Sequence, residues 1–147
     1  MFSTAERAYV TNARIARLAT VSTRGRPTLV PVCFALEGDD RVVSAIDEKP
    51  KAAQPRDLRR VRDIRANQSV ALLVDHYRED WDRLGWVQIR GRALILEPDD
   101  TGHRAGVDAL TEKYHQYATH DLDSRPLIEI TPGSVRSWGT LSRECSR

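Results

Sequence analysis

The sequence has few cysteines and no long apolar run, and both shortages limit what the protein can be. Two cysteines among 147 residues, Cys33 and Cys145, cannot form the disulfide framework of a small secreted domain, so we expect two unpaired thiols. No Cys/His spacing suits zinc, and no metal site is predicted. No apolar run approaches the roughly 18 residues of a membrane helix, and the N-terminus lacks the basic-then-apolar order of a signal peptide. We therefore expect a cytoplasmic protein without membrane contact.

Several motifs of nucleotide binding and catalysis are also missing. Neither a G-x-G-x-x-G sequence nor a P-loop occurs, which excludes those two phosphate cradles. We find no Ser-His-Asp or Cys-His arrangement and no pair of carboxylates in a definable cleft. The sequence thus assigns no catalytic residue, and any chemistry is expected to be carried by a cofactor.

What the chain does contain is typical of one globular domain spanning residues 1–147. Apolar residues make up 40% and charged residues 30% of the sequence, a balance that suits a folded protein rather than a disordered one. At this length a single hydrophobic core is the simplest organisation.

Hydrophobic periodicity predicts a mainly β chain with three helices. The helices are expected from Ser3 or Thr4 to about Asn12, from about Ala52–Pro55 to about Asn67, and from Pro98 to about Tyr117. Strands are expected over residues 15–22, 28–36, 41–46, 69–75, 86–96, 127–130 and 135–138.

The order of these elements predicts how the strands pair. Hairpins dominate, so we expect an α+β fold with a six- to seven-stranded antiparallel barrel, closed or half-closed, and helices at its ends. The first three strands should form a meander, with strand 28–36 central because both its faces are apolar, although Pro31 needs an edge or a bulge. Gly91 suits a bulge or a sharp bend.

Positive charge is concentrated in residues 49–65. This stretch holds seven cationic and two anionic residues, a local charge of +5, whereas the whole chain carries +2. Lys49 and Lys51 lie between a strand and the predicted helix, where helix amides and the helix dipole favour an anion. We therefore predict a phosphate anchor at this position.

Two other interpretations of the basic stretch stay open. Arginine and lysine routinely cover solvated helix faces, and an average Arg-rich helix is of this kind. Seven cations also suit the phosphates of nucleic acid. However, no aromatic residue lies between Lys49 and Arg65 to stack on a base, and no recognition motif is evident. A compact anion is the better fit, and no nucleic-acid partner is predicted.

Hydroxyl and aromatic side chains supply further candidates. Thr20 and Ser22 lie just before a turn, where their hydroxyls suit a phosphate or ring edge, although such residues more often satisfy turn backbone groups. Trp86 alternates in phase with Gln88 and Arg90 on the polar face of its strand, which suggests an interface or a ligand wall. Tyr114, His115 and Tyr117 suit either a pocket lining or helix packing.

Several short segments, in their order and spacing, resemble segments of the pyridoxamine 5′-phosphate oxidase-like split β-barrel proteins. The opening of that family is similar to Leu18-Ala19-Thr20-Val21, Gly25-Arg26-Pro27 and Val30-Pro31-Val32. Its phosphate-binding turn, helix and strand are similar to Lys49-Pro50-Lys51, Leu58, Arg65-Ala66-Asn67 and residues 70–75. A subgroup of F420-dependent enzymes resembles Asp75-His76-Tyr77, Asp80-Trp81, Leu84, Trp86-Val87 and Gly91-Arg92-Ala93.

The resemblance implies an FMN-binding split-barrel fold and a homodimer with its cofactor at the dimer interface. It implies coenzyme F420, a deazaflavin, as hydride carrier, with FMN as the alternative cofactor. The implied function is hydride transfer between reduced F420 and an unidentified small organic acceptor; the alternatives are an FMN- or haem-binding split barrel and a non-catalytic F420-binding protein.

Carried over by position, the resemblance also implies cofactor-binding residues. Lys49 and Lys51 would hold the phosphate with help from Arg56 and Arg60; the ring system would lie along Thr20, Ser22, Val30, Pro31 and Val32; and the partner subunit would contribute Trp86 and Arg90. The strand that carries the flavin phosphate-binding arginine and lysine in the classical oxidases corresponds to Val30-Pro31-Val32-Cys33-Phe34, which has neither. This departure counts against vitamin B6 oxidation and against FMN.

Overall fold

A computed structural model describes residues 1–46 and 58–142. Its α-helices are α1 (Thr4–Asn12), α2 (Arg59–Ala66) and α3 (His103–Lys113). Its strands are β1 (Ala16–Val21), β2 (Pro27–Val32), β3 (Ala35–Glu37), β4 (Arg41–Ala45), β5 (Ser69–His76), β6 (Gly85–Leu96) and β7 (Leu127–Gly139). Short 3-10 helices follow β5 at Trp81–Arg83 and α3 at His115–Thr119.

The seven strands of the described residues form one curled antiparallel sheet in the order β2-β1-β5-β6-β7-β4-β3. This half-barrel with three helices confirms the predicted α+β split-barrel class. No helix in the described ranges has the length and apolar character that crossing a membrane requires.

Helix α1 begins where a capping box predicts. Ser3 Oγ accepts a hydrogen bond from the Glu6 backbone N–H at 3.1 Å, and the Glu6 carboxylate accepts one from the Ser3 N–H at 2.9 Å. A hydrogen bond from the side chain of Ser137 is the main cause that lowers the pKa of Glu6. The same carboxylate therefore starts the helix and ties it to β7.

The predicted strand 28–36 is wrong as a single strand, and so is the meander. The chain leaves β2 after Val32 and resumes as β3 at Ala35, and these two strands lie at opposite edges of the sheet. Side chains satisfy the crossing backbone, since Tyr114 Oη accepts from Phe34 N–H at 3.1 Å and Ser44 Oγ donates to the Cys33 carbonyl at 2.7 Å. The residues before and after the crossing are apolar, so the alternating sequence pattern of residues 28–36 continues through it and does not reveal it.

Strand β2 is therefore an edge strand rather than a central one. This position satisfies the condition that Pro31 imposed. Pro27 and Pro31 have no N–H group to offer at the free edge, which discourages a further strand from adding there.

The last two predicted strands form the single strand β7. It pairs with β6 along its whole length, but β4 covers it only from Leu127 to Ile130. The register shifts between Arg90, which faces Ser134, and Gly91, which faces Pro132. This bulge leaves Gly133 without a partner and lies between the stretches 127–130 and 135–138 that were predicted as separate strands.

Gly91 is required at the bulge for steric reasons. A Cβ atom there would lie 2.3 Å from the carbonyl oxygen of Thr131, closer than any real contact. The prediction that Gly91 marks a bulge is confirmed.

The predicted third helix is wrong at both ends, because α3 begins at His103 rather than at Pro98 and ends before Tyr117. Helix α2 begins at Arg59, with Leu58 extended as its N-cap; the predicted start at Ala52–Pro55 lies outside the described residues. Helix α3 ends at Lys113 because Tyr114 is extended and its hydroxyl donates to the carbonyls of Arg14, at 2.9 Å, or Phe34, at 3.0 Å. These long-range bonds override the local helix preference.

The hydrophobic core has two parts. The larger lies between the inner face of the curled sheet, α1 and α2, and includes the buried residues Leu18, Phe34, Val61, Ile64, Leu72 and Ile89. Leu58, Val61 and Ile64, spaced by three residues, face this core from the N-cap and body of α2. The second part packs α3 against β3, β4 and β7, with Val43, Val107, Leu110 and Leu127 buried.

Candidate functional site

The predicted phosphate anchor is only partly described. Lys49, Lys51 and Arg56 lie outside the described residues. They precede α2, whose N-cap Leu58 makes no side-chain capping bond and whose first turn holds no acidic residue. The start of α2 thus combines its dipole with the charge of Arg59 and Arg60, so an anion is electrostatically favoured there.

The arginines of α2 have different surroundings. Arg59 and Arg62 are exposed, and Arg60 is half-buried. Arg65 is exposed and donates to the Glu97 carboxylate at 2.9 Å. Arg65 therefore ties α2 to Glu97, just after the end of β6.

Thr20 lies inside the protein rather than on a ligand-accessible surface. Its side chain is 1% exposed, and its hydroxyl donates to the Asp63 carboxylate at 3.0 Å. Asp63 is itself 6% exposed. This bond fixes α2 against β1. Thr20 therefore helps to position the start of α2, where an anion is favoured, without facing a ligand itself.

Ser22 satisfies the turn between β1 and β2. Its hydroxyl oxygen accepts from the backbone N–H groups of Arg24 at 3.2 Å and Arg26 at 3.1 Å. Gly25, with φ of 75°, closes the turn. The turn-forming role that the sequence offered as the alternative is thus present.

The three predicted ring-contact residues of β2 do not share a face. Val32 is buried in the larger core, and Val30 packs against it. Pro31 is exposed and lies opposite Arg17 of β1. Of these three residues Pro31 is exposed, Val30 is half-buried and Val32 is buried.

Trp86 and Arg90 lie on an open surface of the sheet, which we call the outer face. Partners in register project to the same side of a sheet, so the outer face runs across five strands. None of its side chains is buried. It comprises Leu29 and Pro31 of β2; Arg17 and Ala19 of β1; Ala71, Leu73 and Asp75 of β5; Trp86, Gln88 and Arg90 of β6; and Ser134, Arg136 and Trp138 of β7.

The outer face joins an apolar area to a basic one. Leu29 is 66% exposed and Trp138 is 53% exposed. Arg17 is neutralised by Asp75 at 2.8 Å. Arg90 and Arg136 are exposed and have no ion pair or hydrogen bond to any residue in the described ranges. Sequence analysis missed Arg136, although its alternation with Trp138 in the predicted strand 135–138 indicated that the two side chains share a face.

Aromatic side chains gather at one end of this face. Trp86 and Trp138 are direct cross-strand partners. Beyond them Trp81, 70% exposed, places its indole Nε1 3.3 Å from the hydroxyl of Tyr77, which is 60% exposed. All three tryptophans of the chain are therefore found at one end of the sheet.

Two other groups singled out by sequence are structural. Tyr117 is buried in the second core, and its ring meets that of Tyr114 edge-on at 5.6 Å. Burial raises the pKa of Tyr114, whose hydroxyl is bonded to backbone groups. Helix packing, rather than a pocket lining, is the role that these contacts give.

The family model described as pyridoxamine 5′-phosphate oxidase matches residues 2–139. The chain belongs to this family. Comparison with curated protein sequences gives no match.

Three solved structures share this fold. The conserved hypothetical protein Rv2991 from Mycobacterium tuberculosis is 23% identical with a TM-score of 0.72, covering 95% of this chain and 86% of that one. The heme storage protein HutZ from Vibrio cholerae is 14% identical with a TM-score of 0.70, over 90% of each chain. An FAD-binding protein from Mesorhizobium loti is 24% identical with a TM-score of 0.62, over 88% and 87%. At these identities the likeness to each structure establishes the fold alone.

Proposed function

We propose that this member of the pyridoxamine 5′-phosphate oxidase family is an F420-dependent oxidoreductase that works as a homodimer. The observation that carries the proposal is the electropositive start of α2, which has no acidic residue in its first turn and follows the Lys49-Pro50-Lys51 segment. A phosphorylated cofactor with an acidic tail suits this charge. Deazaflavin is favoured over FMN because β2 carries no cation.

The bound deazaflavin would supply the hydride, and the protein would bind and orient it. Lys49 and Lys51, with Arg56 and Arg60, are proposed to hold the phosphate. Thr20 acts by fixing α2 through Asp63. The ring is proposed to lie near the turn at Ser22 and the edge formed by Val30, Pro31 and Val32, where a closed cleft would exclude water.

A second copy of the chain is the proposed cover for the outer face. Ala19, Ala71 and Leu73 are only half-buried at its centre, and Leu29 is exposed at its side. A stable interface buries about 800 Å² per partner, and a five-stranded face offers a surface of this order. Trp86 and Arg90 of one protomer would then approach the cofactor of the other.

Replacing both anchor lysines tests the cofactor assignment. The double variant Lys49→Ala and Lys51→Ala removes two charge-assisted contacts. We therefore expect the F420 affinity, measured by fluorescence titration, to fall about tenfold or more. Arg104→Ala is the control, because Arg104 is on α3 and bonds only Asp108 and Asp123 among described residues. Unchanged affinity in the double variant would show that the anchor lies elsewhere.

Haem binding is the second candidate because HutZ, a heme storage protein, shares the fold. Haem iron is held by histidine, cysteine, methionine or tyrosine, and a histidine can serve only through a ring nitrogen that has no other partner. His76 already places Nδ1 2.7 Å from Tyr9 Oη and Nε2 near the Arg83 carbonyl, and His103 Nε2 bonds the Arg125 carbonyl at 2.6 Å. Both ring nitrogens of His76 are occupied, and His103 is only 3% exposed, so these two of the four histidines are disfavoured. A Soret band in the purified protein would reverse the preference.

A further inference from the structure

We propose that Tyr9 and His76 form a hydrogen-bonded pair that keeps the connection between β5 and β6 fixed to the protein whether His76 is neutral or protonated. The β5–β6 connection, residues 77–84, presents the exposed aromatic side chains Tyr77 and Trp81. The Tyr9–His76 pair lies outside both the outer face and the basic segment before α2, so it is independent of the proposed function.

The pair joins a helix to a strand and to the connection that follows the strand. Tyr9, on α1, is 6% exposed, and His76, the last residue of β5, is half-buried. Tyr9 Oη lies 2.7 Å from His76 Nδ1, and the two ring centroids are 5.6 Å apart. His76 Nε2 bonds the backbone carbonyl of Arg83. One imidazole ring thus links α1 to the far end of the β5–β6 connection.

The chemistry of these partners fixes the tautomer of neutral His76. A carbonyl oxygen only accepts hydrogen bonds, so the ring hydrogen must be on Nε2, which faces the Arg83 carbonyl. Nδ1 then offers only a lone pair, and the Tyr9 hydroxyl must donate to it. In the neutral state each of these donors therefore meets an acceptor.

A second acceptor beside Tyr9 allows His76 to gain a proton. In the imidazolium both nitrogens donate, so Nδ1–H needs Tyr9 Oη as its acceptor and the Tyr9 hydrogen must turn away. The Gly85 carbonyl oxygen is 3.4 Å from Tyr9 Oη, which is long for an O–H···O bond but within reach of a small movement. Rotation of one hydroxyl group therefore provides an acceptor for every donor in both charge states.

The charged groups on the elements around His76 are either paired with each other or exposed. Its register partner on β6 is Gly85, which has no side chain. The paired groups are Asp75 with Arg17 at 2.8 Å on the opposite face of β5, Asp80 with Arg83 at 3.5 Å in the connection, Arg7 of α1 with Asp40 at 3.2 Å, and Glu6 of α1 with the Ser3 N–H at 2.9 Å. Arg78, Glu79 and Asp82 of the connection are exposed, where solvent and salt screen them.

Three successive carbonyl groups fix the end of the connection. Thr140 Oγ1 donates to the Asp82 carbonyl at 2.9 Å, His76 Nε2 bonds the Arg83 carbonyl, and the Thr140 N–H donates to the Leu84 carbonyl at 2.8 Å. Of these three donors, only the imidazole can change its charge. The Tyr9 hydroxyl therefore decides whether the middle contact survives protonation.

Hydrogen exchange followed against pH tests the proposal on the full-length protein. The protection factors of the Arg83 and Thr140 amides should stay constant within about twofold while the ring carbon signals of His76 report its titration. In Tyr9→Phe the Nδ1–H of the imidazolium loses its acceptor, so both protection factors should fall about tenfold as His76 becomes charged. The amide of Ile89, in the middle of β6, serves as the internal reference for global stability.

Two further variants assign the effect. Tyr9→Phe combined with His76→Gln keeps an N–H group for the Arg83 carbonyl but has no titrating ring, so its protection factors should not depend on pH. Tyr117→Phe, in the second core, should behave like the unmodified protein.

Three results would overturn the proposal. The first is a hydrogen on Nδ1 of neutral His76, detected by nitrogen NMR. The second is a Tyr9→Phe variant whose protection factors are as independent of pH as those of the unmodified protein. The third is an unmodified protein whose β5–β6 connection opens as His76 gains its proton.

Discussion

At the scale of single residues, sequence located some side chains well but not their contacts. Thr20 was recognised as a hydroxyl before a turn, yet its partner, Asp63, is 43 residues further along the chain. No local sequence pattern can predict a hydrogen bond between a strand and a helix that are so far apart along the chain. Ser22 differs because its partners Arg24 and Arg26 are local, and its turn role was foreseeable.

Removing the Thr20 hydroxyl is expected to destabilise the protein. In Thr20→Ala the buried Asp63 carboxylate loses its hydrogen-bond donor, which should lower the free energy of unfolding by about 1–3 kcal/mol. Urea denaturation provides the measurement. Thr11→Ala, at an exposed position of α1, should change stability by only about 0.5 kcal/mol. Equal effects of the two substitutions would mean that the Thr20–Asp63 bond contributes nothing.

At the scale of elements, most strands and helices could be predicted because each has a period or a cap of its own. Strands β1, β4, β5 and β6 begin and end close to where alternation and turn residues placed them. The errors arose where the pattern is locally continuous but the topology is not. Residues 28–36 alternate throughout, although Tyr114 and Ser44 hold a crossing at Cys33-Phe34. Conversely, Pro132-Gly133 interrupts a pattern without interrupting β7.

The bulge between β6 and β7 gives a prediction with an internal control. Gly91→Ala places a Cβ atom against the Thr131 carbonyl and should cost about 1–3 kcal/mol of stability. In Gly133→Ala the new Cβ atom would lie 3.6 Å from the Arg90 carbonyl oxygen, its nearest neighbour. This is an ordinary van der Waals contact, so the variant should be tolerated. Thermal unfolding of both variants distinguishes them, and equal melting temperatures would contradict the steric explanation.

At the scale of the whole molecule, the fold class was predictable because hairpins and the order of elements restrict the topology. The order β2-β1-β5-β6-β7-β4-β3 was not, since it depends on which apolar faces meet. The candidate site was predictable only as separate parts. Its basic helix start was evident from charge, whereas the contribution of Arg136 requires the register of β7 against β6.

The proposed homodimer makes the outer face testable. Ala71 is half-buried near its centre, next to Ala19 and Arg90 in register. Ala71→Arg would bury an unpaired charge between protomers, so the dimer dissociation constant should rise by about two orders of magnitude. Analytical ultracentrifugation measures this constant. Ala5→Arg, at an exposed position of α1, should leave it unchanged, and a dimer that tolerates Ala71→Arg would use another surface.

The central claim is that the chain binds a deazaflavin through the basic segment before α2. Equilibrium titration of the unmodified protein with F420 and, separately, with FMN tests it most directly. We predict saturable binding of one F420 per chain, with FMN bound more weakly by about tenfold or more. Absence of F420 binding, or tighter binding of FMN than of F420, would contradict the claim.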